Sequence, residues 1–197
     1  MKIIAFTGAA GVGKDTAADI VHGWFPNAIR YSFAAPLRSG LAAMFGTAVF
    51  EQSLDTSTKD SESTAYGVTC RKLLQSLGTD WGRDMINPDI WVIRAEELWA
   101  QYYDSDLVII SDLRFDNEAD LVHDKGGIVV GIRSQTAKLR PEKFREGKHA
   151  SEFGISEDKL DCEVINYKME KPDFIRLEQC LKDSVAITEY LGLNSSK

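Results

Sequence analysis

The chain has 197 residues, about one compact domain at roughly 150 residues each, and its 44% hydrophobic, 27% charged composition excludes extended disorder. Its net charge of -7, from 23 basic and 30 acidic residues, repels a polyanion and argues against a nucleic-acid partner. The longest apolar runs, such as Leu107 to Ile110 and Ile128 to Ile132, fall far below the ~20 residues that cross a bilayer, so no membrane partner is expected.

The chain starts with a short apolar run, Ile3 to Phe6, that stops at Gly8 and is too short for the core of a signal peptide. A cytoplasmic location is the expectation. Met1 to Phe6 reads as a first strand and Asp15 to Trp24 as the helix after it. Ala28 to Phe33 reads as a strand and Pro36 to Phe45 as a short helix, whereas Gly46 to Gly67, rich in Ser, Thr and Asp, reads as a long loop. Thr69 to Met85 has a helical pattern with a break near Gly78, and Pro88 opens a helix to about Tyr103. On that helix Trp91, Ala95, Leu98, Trp99 and Tyr102 share one face, as core residues do. Core packing is likewise expected for Tyr31 and Trp81, with base stacking as the rival role.

Leu107 to Ser111 is apolar enough to be buried on both faces, Asp116 can cap a helix that reaches Lys125, and Gly127 to Arg133 is another strand. Ser134 to Ala150 lacks apolar periodicity. Glu163 to Tyr167 reads as a last strand, and Pro172 to Leu191 as one closing helix with Phe174, Leu177, Leu181 and Val185 inward. Alternating strands and helices predict an α/β fold with a central parallel sheet. Cys70, Cys162 and Cys180 are widely spaced, with no Cys-x-x-Cys pair, and are expected as buried thiols rather than disulfides or zinc ligands.

The sharpest signal is Gly8-Ala9-Ala10-Gly11-Val12-Gly13-Lys14, which fits G-x-x-x-x-G-K between a predicted strand and a predicted helix. Glycines at this spacing let successive N–H groups turn inward around a β-phosphate, the helix points its positive end at the same oxygens, and Lys14 reaches the β and γ phosphates. The bland alternative is a tight turn with no ligand. The position after the lysine, usually the Ser or Thr that binds Mg2+, is Asp15, and the hydroxyl follows at Thr16. Either Thr16 meets metal or phosphate from a displaced position, or Asp15 faces the acceptor as base or metal ligand. A carboxylate there is also favoured by the helix dipole alone.

No Asn-Lys-x-Asp string occurs, which weakens a GTP-switch reading. A basic stretch, Arg133, Lys138, Arg140, Lys143, Arg145 and Lys148, stands out in an acidic chain and suits a lid that carries arginines to a transferring phosphoryl group. A solvated loop with scattered charge is the alternative. Asp112 and Arg114 follow the apolar strand at the carboxyl edge of the sheet, where open α/β folds bind ligands; they can hold metal and acceptor phosphate, or pair with each other. Arg38, Arg71 and Arg83 are further candidates for an acceptor phosphate pocket.

The motifs resemble the bacteriophage deoxynucleoside monophosphate kinases, phosphate-loop enzymes of the nucleoside monophosphate kinase type. The resemblance rests on Gly13-Lys14-Asp15-Thr16-Ala17-Ala18-Asp19, on Tyr31 to Arg38, and on Arg71 to Asp80 with its Leu-Gly-Thr-Asp segment. It continues through Asp112-Leu113-Arg114-Phe115-Asp116-Asn117-Glu118-Ala119, His149-Ala150-Ser151-Glu152 and Val164-Ile165-Asn166-Tyr167. These segments stand in the family's order and span most of the chain; the stretch between Phe45 and Thr69 is shorter than in longer members.

The resemblance implies ATP-dependent, Mg2+-assisted conversion of deoxynucleoside monophosphates to diphosphates, on a single three-layer α/β/α domain over 1–197, often as a homodimer. It implies a lid at about 134–150 and a substrate-binding helical segment at about 36–103. Gly11, Val12, Gly13, Lys14, Asp15 and Thr16 would hold ATP phosphates, with Asp15 and Thr16 at the metal, and Lys14, Asp15 and Arg133 would be catalytic. Arg38, Arg71, Gly78, Thr79, Asp112, Arg114 and Glu118 would surround the acceptor. Arg133, Lys138, Arg140, Arg145 and Lys148 would form the lid, and Asn166 would approach the adenine. The rival functions are a related small-molecule kinase, acting on dephospho-coenzyme A or phosphomevalonate, and an ATP-binding regulatory module with no acceptor.

Overall fold

The computed structural model describes residues 1–55, 58, 60, 64–101, 105–135, 154–167 and 174–193. In chain order the elements are β1 (Lys2–Thr7), α1 (Lys14–Trp24), β2 (Ile29–Tyr31), α2 (Ala35–Phe45), α3 (Thr47–Leu54), α4 (Cys70–Gln75) and a π-helical stretch, Ser76–Ile86. They continue with α5 (Ile90–Trp99), β3 (Leu107–Ile110), α6 (Asp116–Asp124), β4 (Ile128–Ser134), a 3-10 turn (Glu157–Lys159), β5 (Cys162–Asn166), α7 (Phe174–Asp183) and α8 (Val185–Leu191). The chain divides into two compact units, one of residues 1–32 and 98–197 and the other of residues 33–97.

The first unit is built on a five-stranded sheet in the order β2-β3-β1-β4-β5, with every neighbouring pair parallel. Parallel neighbours need crossovers, and these place helices over the sheet. Ile4, Phe6, Ile109, Val130 and Ile132 share one core cluster with Ala17, Ala18 and Val21 of α1, Leu177 and Leu181 of α7, and Ile187 and Leu191 of α8. The opposite face is covered by α6, where Val122 and Ile3 approach so closely that a Cβ at Gly127 would lie 2.7 Å from one and 2.9 Å from the other. The alternating pattern predicts this parallel sheet, and the helices on its two faces give the three-layer α/β/α arrangement that the family resemblance implies. Burial on both faces explains the unbroken apolar reading of Leu107 to Ile110, all four of which are buried. Tyr31 packs edge-on against Trp99 with ring centroids 5.4 Å apart, the core role expected of it.

The second unit is helical, with a small core of Leu41, Val49 and Cys70. Thr69 caps α4 by accepting from the Lys72 N–H at 3.2 Å. Beyond α4 the helix does not break at Gly78. It widens into the π-helical stretch, closed by the Asn87 N–H donating to the Gly82 carbonyl at 3.0 Å, five residues back. Small residues permit this: a Cβ at Gly82 would lie 2.7 Å from Trp91 Cζ2, and one at Gly78 would lie 2.9 Å from Leu37 Cδ1.

Several other expectations are corrected. Thr47–Leu54 is helix α3 and not loop, because Gly46, at φ 88°, ends α2 and lets the chain re-enter a helix at once. Trp81 is 44% exposed and so not core. Asp116 does not cap α6: its carboxylate accepts from the Ser156 N–H and hydroxyl at 2.8 and 2.7 Å, and Glu118 serves the helix start instead. Cys70 is buried, but Cys162 and Cys180 are only half-buried. The closing helix is two helices, interrupted at Ser184, whose extended backbone resets the helical phase. Val185 is therefore 66% exposed while Ile187 is fully buried. Phe174's side chain, Tyr102 and Tyr103 lie outside the described residues. No helix among the described residues is long and apolar enough to cross a membrane.

The phase reset gives a direct test. Ile187→Ala should cost about 2–5 kcal/mol in chemical denaturation, the price of emptying a core site, whereas Val185→Ala should stay within about 0.5 kcal/mol. Equal losses would restore the single-helix phasing.

Candidate active site

In the first unit all five strands run the same way, so their carboxyl ends gather at one edge. Each end carries polar groups: Thr7 and the glycine loop after β1, Ser32 after β2, Ser111 and Asp112 after β3, Arg133 at the end of β4, and Asn166 closing β5. The loops after the adjacent strands β1 and β3 lead to helices on opposite faces, α1 and α6, which opens a crevice between them.

The glycine loop occupies this position with the geometry its sequence demands. Gly8, Gly11 and Gly13 have φ of 136°, 72° and 103°, values that side-chain-bearing residues rarely adopt. A Cβ at Gly8 would stand 2.3 Å from the Ile132 carbonyl oxygen, so the loop lies directly against β4. Gly13 precedes α1, and the first-turn N–H groups of that helix face the loop. The Lys14 ammonium donates to the carbonyls of Gly8 and Ala9, both at 2.8 Å, and so spans the loop's mouth.

Hydroxyls orient the two carboxylates of the edge. Ser111 Oγ donates to Asp15 Oδ1 at 2.6 Å, and Ser32 Oγ donates to Asp112 Oδ2 at 2.6 Å. The first bond ties α1 to the end of β3 and the second ties β2 to β3. Glu118, 2% exposed, accepts from the backbone N–H groups of Arg114 and Phe115 at 2.8 and 3.2 Å and thereby fixes the turn that carries Arg114.

Arg133 pairs with Glu163 and Glu157, the latter at 3.3 Å. Its β4 neighbour Ile132 belongs to the core on the α1 face, so alternation along the strand turns Arg133 to the opposite face. Asn166 is 8% exposed, and its side-chain amide turns on the glycine loop, donating to the Val12 carbonyl at 2.8 Å. Lys138, Arg140, Arg145 and Lys148 lie outside the described residues.

The remaining candidates belong to the second unit. Arg38 sits on α2, and Arg71 on α4 grips Asp60 with Nε and a terminal nitrogen at 2.5 and 2.7 Å. That fork geometry is the one a guanidinium also offers a phosphate. Gly78 and Thr79 are buried in the π-helical stretch, where the Gly78 carbonyl accepts from Trp91 Nε1 at 2.7 Å. Arg83, 9% exposed, donates to the Pro88 carbonyl at 3.1 Å.

Spacing gives no sign of the roles of Ser111, Ser32 and Asp60, because their partners lie elsewhere in the chain; the only local cue is that both serines directly follow strands. Among the described residues no group of three or more His, Cys, Asp or Glu is placed to hold a metal. The oxygens of Asp15 and Thr16 nevertheless suit Mg2+, which takes one or two carboxylates and completes its shell with phosphate and water.

A phosphate-binding α/β protein follows from this geometry, and the comparisons specify it. A family model described as deoxynucleotide monophosphate kinase matches residues 51–170. The chain belongs to that family and is a nucleotide kinase. It is 24% identical to the deoxynucleoside-5'-monophosphate kinase of Escherichia phage T5, over 83% of this chain and 89% of the relative. It is 28% identical to a protein of Acanthamoeba polyphaga mimivirus provisionally named a deoxynucleotide monophosphate kinase, over 93% and 98%. Among solved structures it is similar to dephospho-CoA kinase from Campylobacter jejuni, at 18% identity and a TM-score of 0.46 over 98% of this chain and 100% of that one. Shikimate kinase from Bacteroides thetaiotaomicron aligns at 15% and 0.40 over 98% of each. The fold assignment rests on the chain's own strand order.

Glu118→Ala should cost about 1–3 kcal/mol in denaturation, because it strips two backbone donors of their buried acceptor. Glu118→Gln, which keeps an acceptor oxygen, should recover part of that loss.

Proposed function

We propose that this kinase transfers the γ-phosphoryl group of ATP to the 5'-phosphate of a deoxynucleoside monophosphate, giving ADP and the deoxynucleoside diphosphate, and so supplies DNA precursors. The observation that carries the reading is the Lys14 ammonium lying across the mouth of a glycine loop at the carboxyl edge of a parallel sheet. The deoxynucleotide acceptor draws its support from the family and from the names of the two viral relatives.

The acceptor oxygen is already anionic and needs no strong base, so positioning and charge neutralisation dominate in-line transfer. Gly11, Val12 and Gly13 would form the cradle around the β-phosphate, the start of α1 would point its positive end at it, and Lys14 would neutralise charge that develops between β and γ oxygens. Asp15 or Thr16 would hold Mg2+, which when bound would supply Lewis-acid withdrawal of charge from the transferring phosphoryl group. Asp112, oriented by Ser32, and Arg114, fixed by Glu118, face the acceptor. Arg38, Arg71, Gly78 and Thr79 of the helical unit are proposed as acceptor-binding residues from the family resemblance alone. The segment at about 134–150, with Lys138, Arg140, Arg145 and Lys148, is proposed as the lid. Arg133, held by two glutamates, anchors its root.

The test is ADP production from ATP and Mg2+ with deoxynucleoside monophosphates, their ribonucleotide counterparts, dephospho-coenzyme A and phosphomevalonate. Turnover with the deoxynucleotides above all others is expected, and ATP binding with silence across the panel would sink the reading. Lys14→Ala should lower kcat by about 100-fold or more. Arg114→Ala should raise the acceptor KM by about tenfold with little change in that for ATP, whereas an unchanged acceptor KM removes Arg114 from the site.

A further inference from the structure

We infer that Asn166 is a positioning residue for the phosphate loop, acting through the Val12 carbonyl and not on the adenine ring; this rests on the reading of Gly8 to Lys14 as the ATP-phosphate site. The amide donates from Nδ2 to the Val12 oxygen at 2.8 Å, across 154 positions of sequence. Asn166 itself is held in the sheet. It pairs with Ser134 in the β4–β5 register, and its own carbonyl accepts from the Gln135 N–H at 3.2 Å. The donor is thus fixed before the loop is.

The peptide bond converts this contact into a directional one. In a trans peptide the carbonyl and the following N–H lie in one plane and point in opposite directions within it. Holding the Val12 oxygen toward β5 therefore turns the Gly13 N–H away from β5. That N–H is one of the loop's phosphate donors. The conformation would not hold unaided, since Gly13 sits at φ 103° and a glycine there samples many alternatives. A second observation supports the clamp: a Cβ at Gly13 would stand 2.5 Å from Asn166 Nδ2 and 3.7 Å from Leu177 Cδ2, so the amide and a leucine together back the loop. Glycine is required at 13 both by its dihedrals and by the closeness of the clamp.

An adenine contact and a clamp make different demands on the ligand, so binding of ATP and of inorganic tripolyphosphate to wild type and Asn166→Ala separates them. The clamp predicts that both ligands weaken by the same factor, about tenfold for the loss of one buried hydrogen bond. In turnover the ATP KM should rise by that factor while the acceptor KM changes less than about twofold, a split that general loosening of the fold would not give. Weakening of ATP alone would assign Asn166 to the adenine and overturn the clamp, as would no weakening of either. Failure of the wild type to bind either ligand would instead overturn the phosphate-loop reading, and the clamp with it.

Asn166→Asp supplies an independent arm should the alanine variant fold poorly. An ionised carboxylate cannot donate to the Val12 oxygen and repels phosphate. At neutral pH this variant should weaken tripolyphosphate binding at least as much as the loss of the amide in Asn166→Ala. Binding equal to wild type would overturn the clamp.

Discussion

Parallel pairing is the constraint on which the rest depends. It costs the chain a long crossover between every two neighbouring strands, and it returns a single edge at which all five carboxyl ends meet. An antiparallel sheet would scatter the same residues over two edges. Here Gly8, Ser32, Ser111, Arg133 and Asn166 reach one edge although more than 150 positions of sequence separate the first from the last. Burial on both faces keeps the strands where they are, since Ile3, Ile4, Ala5 and Phe6 of β1 are all fully buried. Apolar faces thus supply the rigidity, and polar ends supply the chemistry.

Rigidity at that edge is then passed to the loop in steps. The backbone of Gly8 lies against β4, Asn166 fixes Val12 from β5, and Ser111 ties Asp15 back to β3. Each contact comes from a different strand, so the loop is braced on three sides by groups that cannot move without disturbing the sheet. Preorganisation of this kind removes reorganisation cost at the moment charge develops. Hydroxyls orient Asp15 and Asp112 in the same spirit, since a hydroxyl donor fixes a carboxylate while leaving its negative charge in place.

What the sequence discloses follows from the range of the interactions. The glycine loop, its flanking strand and helix, and the central strands are legible because their signals are local: G-x-x-x-x-G-K, unbroken apolar runs, a proline at a helix start. α3 escapes because a Ser- and Thr-rich composition masks its Val49 contact, and Val185 is misplaced because Ser184 shifts the helical phase without any Gly or Pro to mark it. The π-helical stretch follows the same rule, since Gly78 looks like a breaker until Leu37 is found filling its space. Partners such as Ser111 for Asp15, Glu163 for Arg133 and Val12 for Asn166 are set by strand order alone.

The chain's acidity makes the local arrangement of charge decisive. A net charge of -7 opposes phosphates at long range, so affinity must come from groups within a few ångströms, where geometry outweighs the screened average. Backbone N–H groups meet that need without adding side-chain cations, and a helix start adds its partial positive charge in the same direction. Lys14 then contributes a full charge at a fixed place, because the Gly8 and Ala9 carbonyls hold its ammonium over the loop. The overall repulsion falls on any anion; the reward is confined to one that fits the loop, so the same charge distribution that weakens encounter sharpens selection.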